Sequence, residues 1–190
     1  MALPITVNST FDVVYWFYDR ALNDGEYLQP QKLQRLLYLC QAYWSVAYSG
    51  RMLMPAVFVA DEMGPQIPDI YRAFELGRPN IEPRKLADTV VQFLDGIWRR
   101  FGPHSTEHLN SLIRTHPPYA EALRKGIGCE ITLKSMRDFY GASQKEDNAP
   151  GAPAIGKVLR PRVMRNAEGK PVSVQRWLPP AKSDKKPGKG

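Results

Sequence analysis

The sequence predicts a mainly α protein: a compact domain of about six helices with a short strand or hairpin element, followed by a basic C-terminal tail. Three observations carry this reading. Apolar residues recur at three- and four-residue spacing through most of the first 140 positions. Capping and helix-breaking residues punctuate those stripes at helix-like lengths. Charge and Pro/Gly content change together near residue 144, which divides the chain into a domain at 1–143 and a tail at 144–190.

The elements follow in order. Ser9-Thr10-Phe11-Asp12 has the form of a capping box, and Phe11, Val14, Tyr15, Tyr18 and Leu22 recur behind it at helical spacing. Asn23-Asp24-Gly25 closes that helix. Pro30 suits the first turn of a second, whose stripe is Leu33, Leu36, Leu37, Cys40, Trp44 and Ala47, with Gly50 at the C-terminal cap. The short connection predicts antiparallel packing of the pair. Ala56–Ala60 is short, β-branched and bounded by Pro55 and Asp61, so it reads as a short strand or extended segment. Gly64-Pro65-Gln66-Ile67-Pro68 reads as a tight turn launching a third helix, Asp69 to Leu76. A fourth runs from about Arg84 to Phe101, with Leu86, Val90, Phe93, Leu94 and Ile97 on one face. Ser105 starts a fifth with the stripe Leu109, Leu112, Ile113, and Pro117-Pro118 breaks it. Tyr119 to Lys125 adds a turn or two, and Thr132 to Tyr140 is the last helix. In the tail, Val158–Met164 and Val172–Leu178 are strand-like with a turn at Ala167–Lys170, which fits either a hairpin at 157–178 tethered to the domain or a pair of linear motifs, with a disordered end from Ala181.

The net charge of +7 is a property of the tail. Residues 1–144 hold fifteen Lys/Arg and fifteen Asp/Glu, whereas 145–190 hold eleven and four. A basic nucleic-acid-binding globule is therefore disfavoured. Two cysteines, Cys40 and Cys129, make no disulfide scaffold, and no CxxC is present. The N-terminus lacks the basic start and long apolar run of a secretory signal, and no window spans a bilayer. A cytoplasmic protein with no membrane partner is expected.

Three blocks carry a family resemblance. They are Leu33-Gln34-Arg35-Leu36-Leu37-Tyr38 with Gln41-Ala42-Tyr43, then Met63-Gly64-Pro65 with Ile67-Pro68 and Ile70-Tyr71, then Leu109, Leu112-Ile113, Thr115-His116 and Pro118-Tyr119. Over roughly residues 10 to 140, in order and at suitable spacing, they resemble the Panacea domain family, the SocA-like, phage-protein-GepA-like antitoxin domains. Tyr119 stands where Trp is usual in that pattern, Arg35 where Lys is usual, and the basic tail has no counterpart. The resemblance implies a helical domain that neutralises a toxin encoded beside it. In the SocA branch it also implies a proteolytic adaptor that delivers the toxin to ClpXP.

Candidate chemistry is sparse. His104-Ser105-Thr106-Glu107-His108 matches the H-x-x-E-H pattern of inverzincin zinc proteases. With Ser105 as N-cap, His104 falls outside the helix, so the two imidazoles need not converge. Only Glu121 and Glu130 lie near in sequence as a third ligand, and a structural or surface role is expected. Gly126-Ile127-Gly128 lacks a dinucleotide fingerprint, and no phosphate loop occurs. Accordingly, the sequence predicts no enzyme, no catalytic residue, no cofactor and no metal.

Recognition residues are better represented. Tyr15, Trp16, Phe17 and Tyr18 are consecutive, about 100° apart on a helix, so Trp16 or Phe17 should look outward. Tyr43 and Trp44 repeat the problem. Either the helix pair is thoroughly buried or these rings form a patch for a protein partner. Gly64, Pro65, Tyr71 and Arg72 sit at a turn–helix junction that either fixes the turn or borders a partner groove, and His116 divides the same way. The tail has three readings: a solvated linker; sequence-blind phosphate contact through Arg160, Arg162, Arg165, Lys170 and Arg176; or a docking peptide. The last uses Val158, Leu159, Arg160, Arg162 and Val163, with Arg176 and Trp177 beyond, and is similar to the basic-aliphatic tails with which adaptors dock on ClpX. The sequence thus points to a protein-binding module acting on a toxin or protease client, with a nucleic-acid-associated regulator as the alternative. It specifies no oligomeric state.

Overall fold

A computed structural model describes residues 5–142 and 152–159, together with the backbone of 164–165 and 171–172. The chain is mainly helical with a small antiparallel sheet. In order the elements are α1 (Thr10–Asn23), α2 (Pro30–Ala47), β1 (Phe58–Asp61), β2 (Gly64–Gln66), α3 (Pro68–Phe74), α4 (Asp88–Phe101), α5 (Thr106–Arg114), α6 (Pro117–Lys125), β3 (Glu130–Ile131), α7 (Leu133–Ala142), α8 (Ile155–Leu159), β4 (Met164–Arg165) and β5 (Pro171–Val172).

The fold is organised around α2, which contacts α1, α4, α5, α7, α8 and β2. Every residue from Leu33 to Ser45 is buried, so the single stripe expected for this helix is replaced by burial on all faces. Its two buried glutamines survive there because each has a partner, whereas Tyr38 Oη and Trp44 Nε1 are buried without one among the described residues. The Gln34 Oε1 accepts the Ile67 N–H at 2.8 Å. The Gln41 Oε1 accepts the N–H groups of Leu53 and Met54 at 3.1 and 3.2 Å, while its Nε2 donates to the Met54 carbonyl at 3.1 Å. One buried amide therefore holds the whole turn into the 52–54 segment. Gln41→Leu keeps the volume but strands three backbone groups, and is expected to cost about 3 kcal/mol in urea denaturation.

At the start of α1, Ser9 caps as expected, its Oγ accepting the Phe11 N–H at 3.2 Å. Asp12 does not close a capping box. It is buried, and its Oδ1 accepts the Arg84 N–H at 2.8 Å from 72 residues away. That bond, with Tyr15 Oη donating to the Pro79 carbonyl at 2.5 Å, holds the 79–84 segment extended along α1. Helix α4 consequently begins at Asp88 rather than near Arg84, although Val90, Phe93, Leu94 and Ile97 face inward as predicted.

The sheet has the order β2-β1-β3, antiparallel throughout, with Val59 opposite Gln66 and Glu130, and Phe58 opposite Ile131. The segment read as a turn is thus itself an edge strand. Pro65 is tolerated there because an edge position does not require its missing N–H.

Residues 152–159 are part of the packed domain, which moves its boundary beyond 143. Ala152 and Val158 are buried, Tyr43 Oη donates to the Pro153 carbonyl at 2.9 Å, and α8 packs on α4 and α2. Val158 and Leu159 are helical, not the start of a strand. Within the expected hairpin, β4 pairs antiparallel with β5, Met164 opposite Val172. Arg160, Arg162, Val163, Arg176, Trp177 and the end from Ala181 lie outside the described residues.

Candidate functional site

The structure separates the predicted recognition residues. Tyr43 and Trp44 are core residues at 0 and 2 % exposure, enclosed by Phe101, Phe93 and Tyr140. Phe17 is buried as well, so of the four consecutive rings Trp16 and Tyr18 are the half-buried ones. His116 is buried at the N-cap of α6, its Nδ1 2.8 Å from the Tyr140 hydroxyl and its ring 4.9 Å from Phe139. None of Tyr43, Trp44 and His116 presents a surface to a partner: the first two lie on α2, which is enclosed on all sides, and His116 is buried beside Tyr140.

Gly64 and Pro65 are also buried, and their role is intramolecular. Arg35, 2 % exposed, extends from α2 to the β1–β2 hairpin. Its guanidinium donates to the Pro65 carbonyl at 2.9 Å, to the Met63 carbonyl, and to Asn110 Oδ1 at 2.6 Å. No carboxylate pairs with it among the described residues. Burial lowers its pKa to about 10, opposed by Tyr119 and Asp61. Tyr119 secures the same hairpin by donating to the Asp61 carbonyl at 2.5 Å. Gln34, Arg35, Gln41, His116 and Tyr119 of the resemblance blocks therefore hold the fold together from inside.

The His104 and His108 rings do converge, stacked at 4.4 Å between centroids, because the turn before Ser105 brings His104 back over the helix. The described residues nevertheless contain no group of three or more His, Cys, Asp or Glu placed to hold a metal. Burial, then His108, Arg100 and Lys32, lower the His104 pKa, and the charges of Arg100 and Lys32 also oppose a bound cation. Since the unfolded chain takes up this proton first, stability is expected to fall as pH drops through the ordinary histidine range toward the lowered value. It should level off below that value, and His104→Asn should flatten that part of a pH-resolved denaturation series. Cys40 is buried, which pushes its thiol up and away from reactivity.

Tyr71 and Arg72 remain exposed, and Tyr71 leads to a cleft of the domain. This cleft, of about 620 Å³, opens where α1, α2 and α3 meet. Its floor is Leu33, Gln34 and Ile70, all buried. Tyr18 of α1 stacks on Phe74 of α3 at 5.6 Å to form one wall. Tyr27, from the α1–α2 connection, and Tyr71 stand at the rim with 83 and 48 % exposure. Glu75 and Glu107 are the charged lining residues. Burial and the neighbouring Tyr27 raise the Tyr18 pKa, so its hydroxyl stays protonated.

Sequence reasoning singled out Tyr71 but missed Tyr18, Tyr27, Phe74 and Glu75 as a group. The i, i+3 pair Tyr71/Phe74 is a local signal. Its union with residues some 50 positions earlier is not.

Comparison of the chain with protein-family models, curated sequences and solved structures returns no match. No described helix is long and apolar enough to cross a membrane.

Proposed function

We propose that this chain is a non-enzymatic protein-recognition module of the antitoxin kind, which neutralises a toxin or other client by stoichiometric burial of its surface. The observation that carries the reading is the α1–α2–α3 cleft, where exposed Tyr27 and Tyr71 flank a preformed floor that includes Leu33 and Ile70. Exposed aromatics beside a concave apolar surface are the usual anchors of a protein interface. The resemblance to Panacea domains supports the same reading from sequence. Delivery of the client to ClpXP is a further step within it. Val158 is held in the core, so a protease-docking peptide would have to lie after Leu159.

The test is affinity capture from the native cell with the full chain and with a Tyr27→Ala/Tyr71→Ala variant. One client should be enriched by the wild type and recovered at least about tenfold less by the variant, the loss of two anchor contacts. Enrichment of no protein would sink the reading.

The charge partition favours a second reading, in which the tail contacts nucleic acid. Retention on DNA would then fall steeply with salt and disappear when the chain is stopped after Leu159. Retention that survives this truncation would remove it.

A further inference from the structure

We propose that the α1–α2–α3 cleft takes an arginine side chain presented by a basic segment of the client; this rests on the protein-recognition reading and assigns its chemistry. Three observations converge. The cleft is walled by the rings of Tyr18, Phe74, Tyr27 and Tyr71, whose faces are electron-rich. Its charged lining residues are Glu75 on the α3 side and Glu107 on α5, and no Lys or Arg among the described residues lines it. The neighbouring α1 rings already receive a guanidinium: Arg78 Cζ lies 4.4 Å from the centre of the Tyr15 ring, next to the cleft lining, and 5.9 Å from that of Tyr18, which belongs to it.

These features discriminate among occupants. An aliphatic anchor would leave Glu75 and Glu107, both exposed, without a charge partner, and an acidic segment would meet their like charge. A lysine ammonium satisfies the charge but is a compact, strongly hydrated ion. The planar guanidinium stacks on tyrosine while its N–H groups fork toward a carboxylate, so arginine exploits both parts of the lining. Gln31 and Gln34 line the α2 side, but the Gln34 Oε1 is already committed to the Ile67 N–H, which leaves Glu75 and Glu107 as the acceptors that define charge.

The test is a titration of the ¹⁵N-labelled full chain with a capped Gly-Ser peptide carrying two central arginines. Counterparts carry citrulline, the neutral isostere, or lysine. Saturable amide shifts are expected around residues 27–34 and 70–75, with weaker binding of the lysine peptide and none of the citrulline peptide. Glu75→Gln and Tyr71→Ala should each weaken binding about fivefold, with shifts elsewhere unchanged because both side chains are exposed. Absence of saturable shifts, equal binding of the citrulline peptide, or unchanged affinity in both variants would overturn the inference. So would a synthetic 173–190 peptide that binds the same amides more tightly than the arginine probe, since the cleft would then belong to the chain's own basic tail. In the capture experiment, a client held equally by wild type and Glu75→Gln but lost from Tyr27→Ala/Tyr71→Ala would reject the arginine assignment and keep the recognition reading. Capture of no client would reject the recognition reading itself.

Discussion

Gly64→Ala is expected to lower the unfolding free energy by about 3 kcal/mol or more, although it adds one methyl group. A Cβ at this position would stand 2.5 Å from Arg35 Nε, 2.6 Å from Cζ and 2.7 Å from Nη2. Gly64 also has φ +123°, a region that side chains rarely adopt. The guanidinium has little room to withdraw, being bonded to the carbonyls of Met63 and Pro65 and to Asn110 Oδ1. Arg35→Met is expected to cost a similar amount for a different reason: it removes the donor to the buried Pro65 carbonyl and to the part-buried Met63 carbonyl and Asn110 Oδ1. Because Arg35→Met also removes the atoms that the added methyl group would strike, the double variant should be more stable than the sum of the singles by over about 1 kcal/mol. Urea denaturation of the four proteins measures this coupling. Strict additivity would show that Gly64 is required by its backbone conformation alone.

Stopping the chain after Leu159 should leave the denaturation midpoint close to that of the full protein, whereas stopping it after Ser143 should cost about 3 kcal/mol. The difference lies in residues 152–159. Val158 and Ala152 are buried against the domain, and the Tyr43 hydroxyl loses its acceptor at Pro153 when the segment is gone. Gly96 is the point of closest approach, since a Cβ there would lie 3.3 Å from both Leu159 Cα and the Val158 carbonyl oxygen. Gly96→Val should therefore mimic the shorter truncation in the full chain. In the chain already stopped after Ser143 it should be close to neutral, because α8 is no longer there to displace. Equal stability of the two truncated chains would remove the docked-segment account.

Helices were legible wherever a cap and an apolar stripe agree. Ser9 and Ser105 cap α1 and α5 at the residues expected, and Val90, Phe93, Leu94 and Ile97 face inward on α4. Legibility failed where a distant partner claims a local group. Asp12 belongs to a capping box by spacing, yet it accepts the Arg84 N–H and helps to delay α4 by a turn. Pro65 belongs to a turn by composition, yet β1 recruits its backbone into a strand too short to display alternation. Of the candidate site, Tyr71 was visible, while the rings that complete the cleft are scattered from Tyr18 to Phe74.

The amino-acid sequence by itself determined the helical class, the positions of most helices and the placing of the excess positive charge after residue 144, because caps, periodicity and charge are local properties. Only the tertiary structure decided that α2 is enclosed on every face. It thereby turned Tyr43 and Trp44 from candidate partner contacts into core residues and buried Gln34, Arg35 and Gln41 beside them. It alone placed 152–159 inside the domain and brought Tyr18, Tyr27, Tyr71, Phe74 and two carboxylates around one cleft. The physical reason is the same in each case: burial and charge complementarity depend on which distant segments share a surface, and that is settled by the packing of the helices around α2.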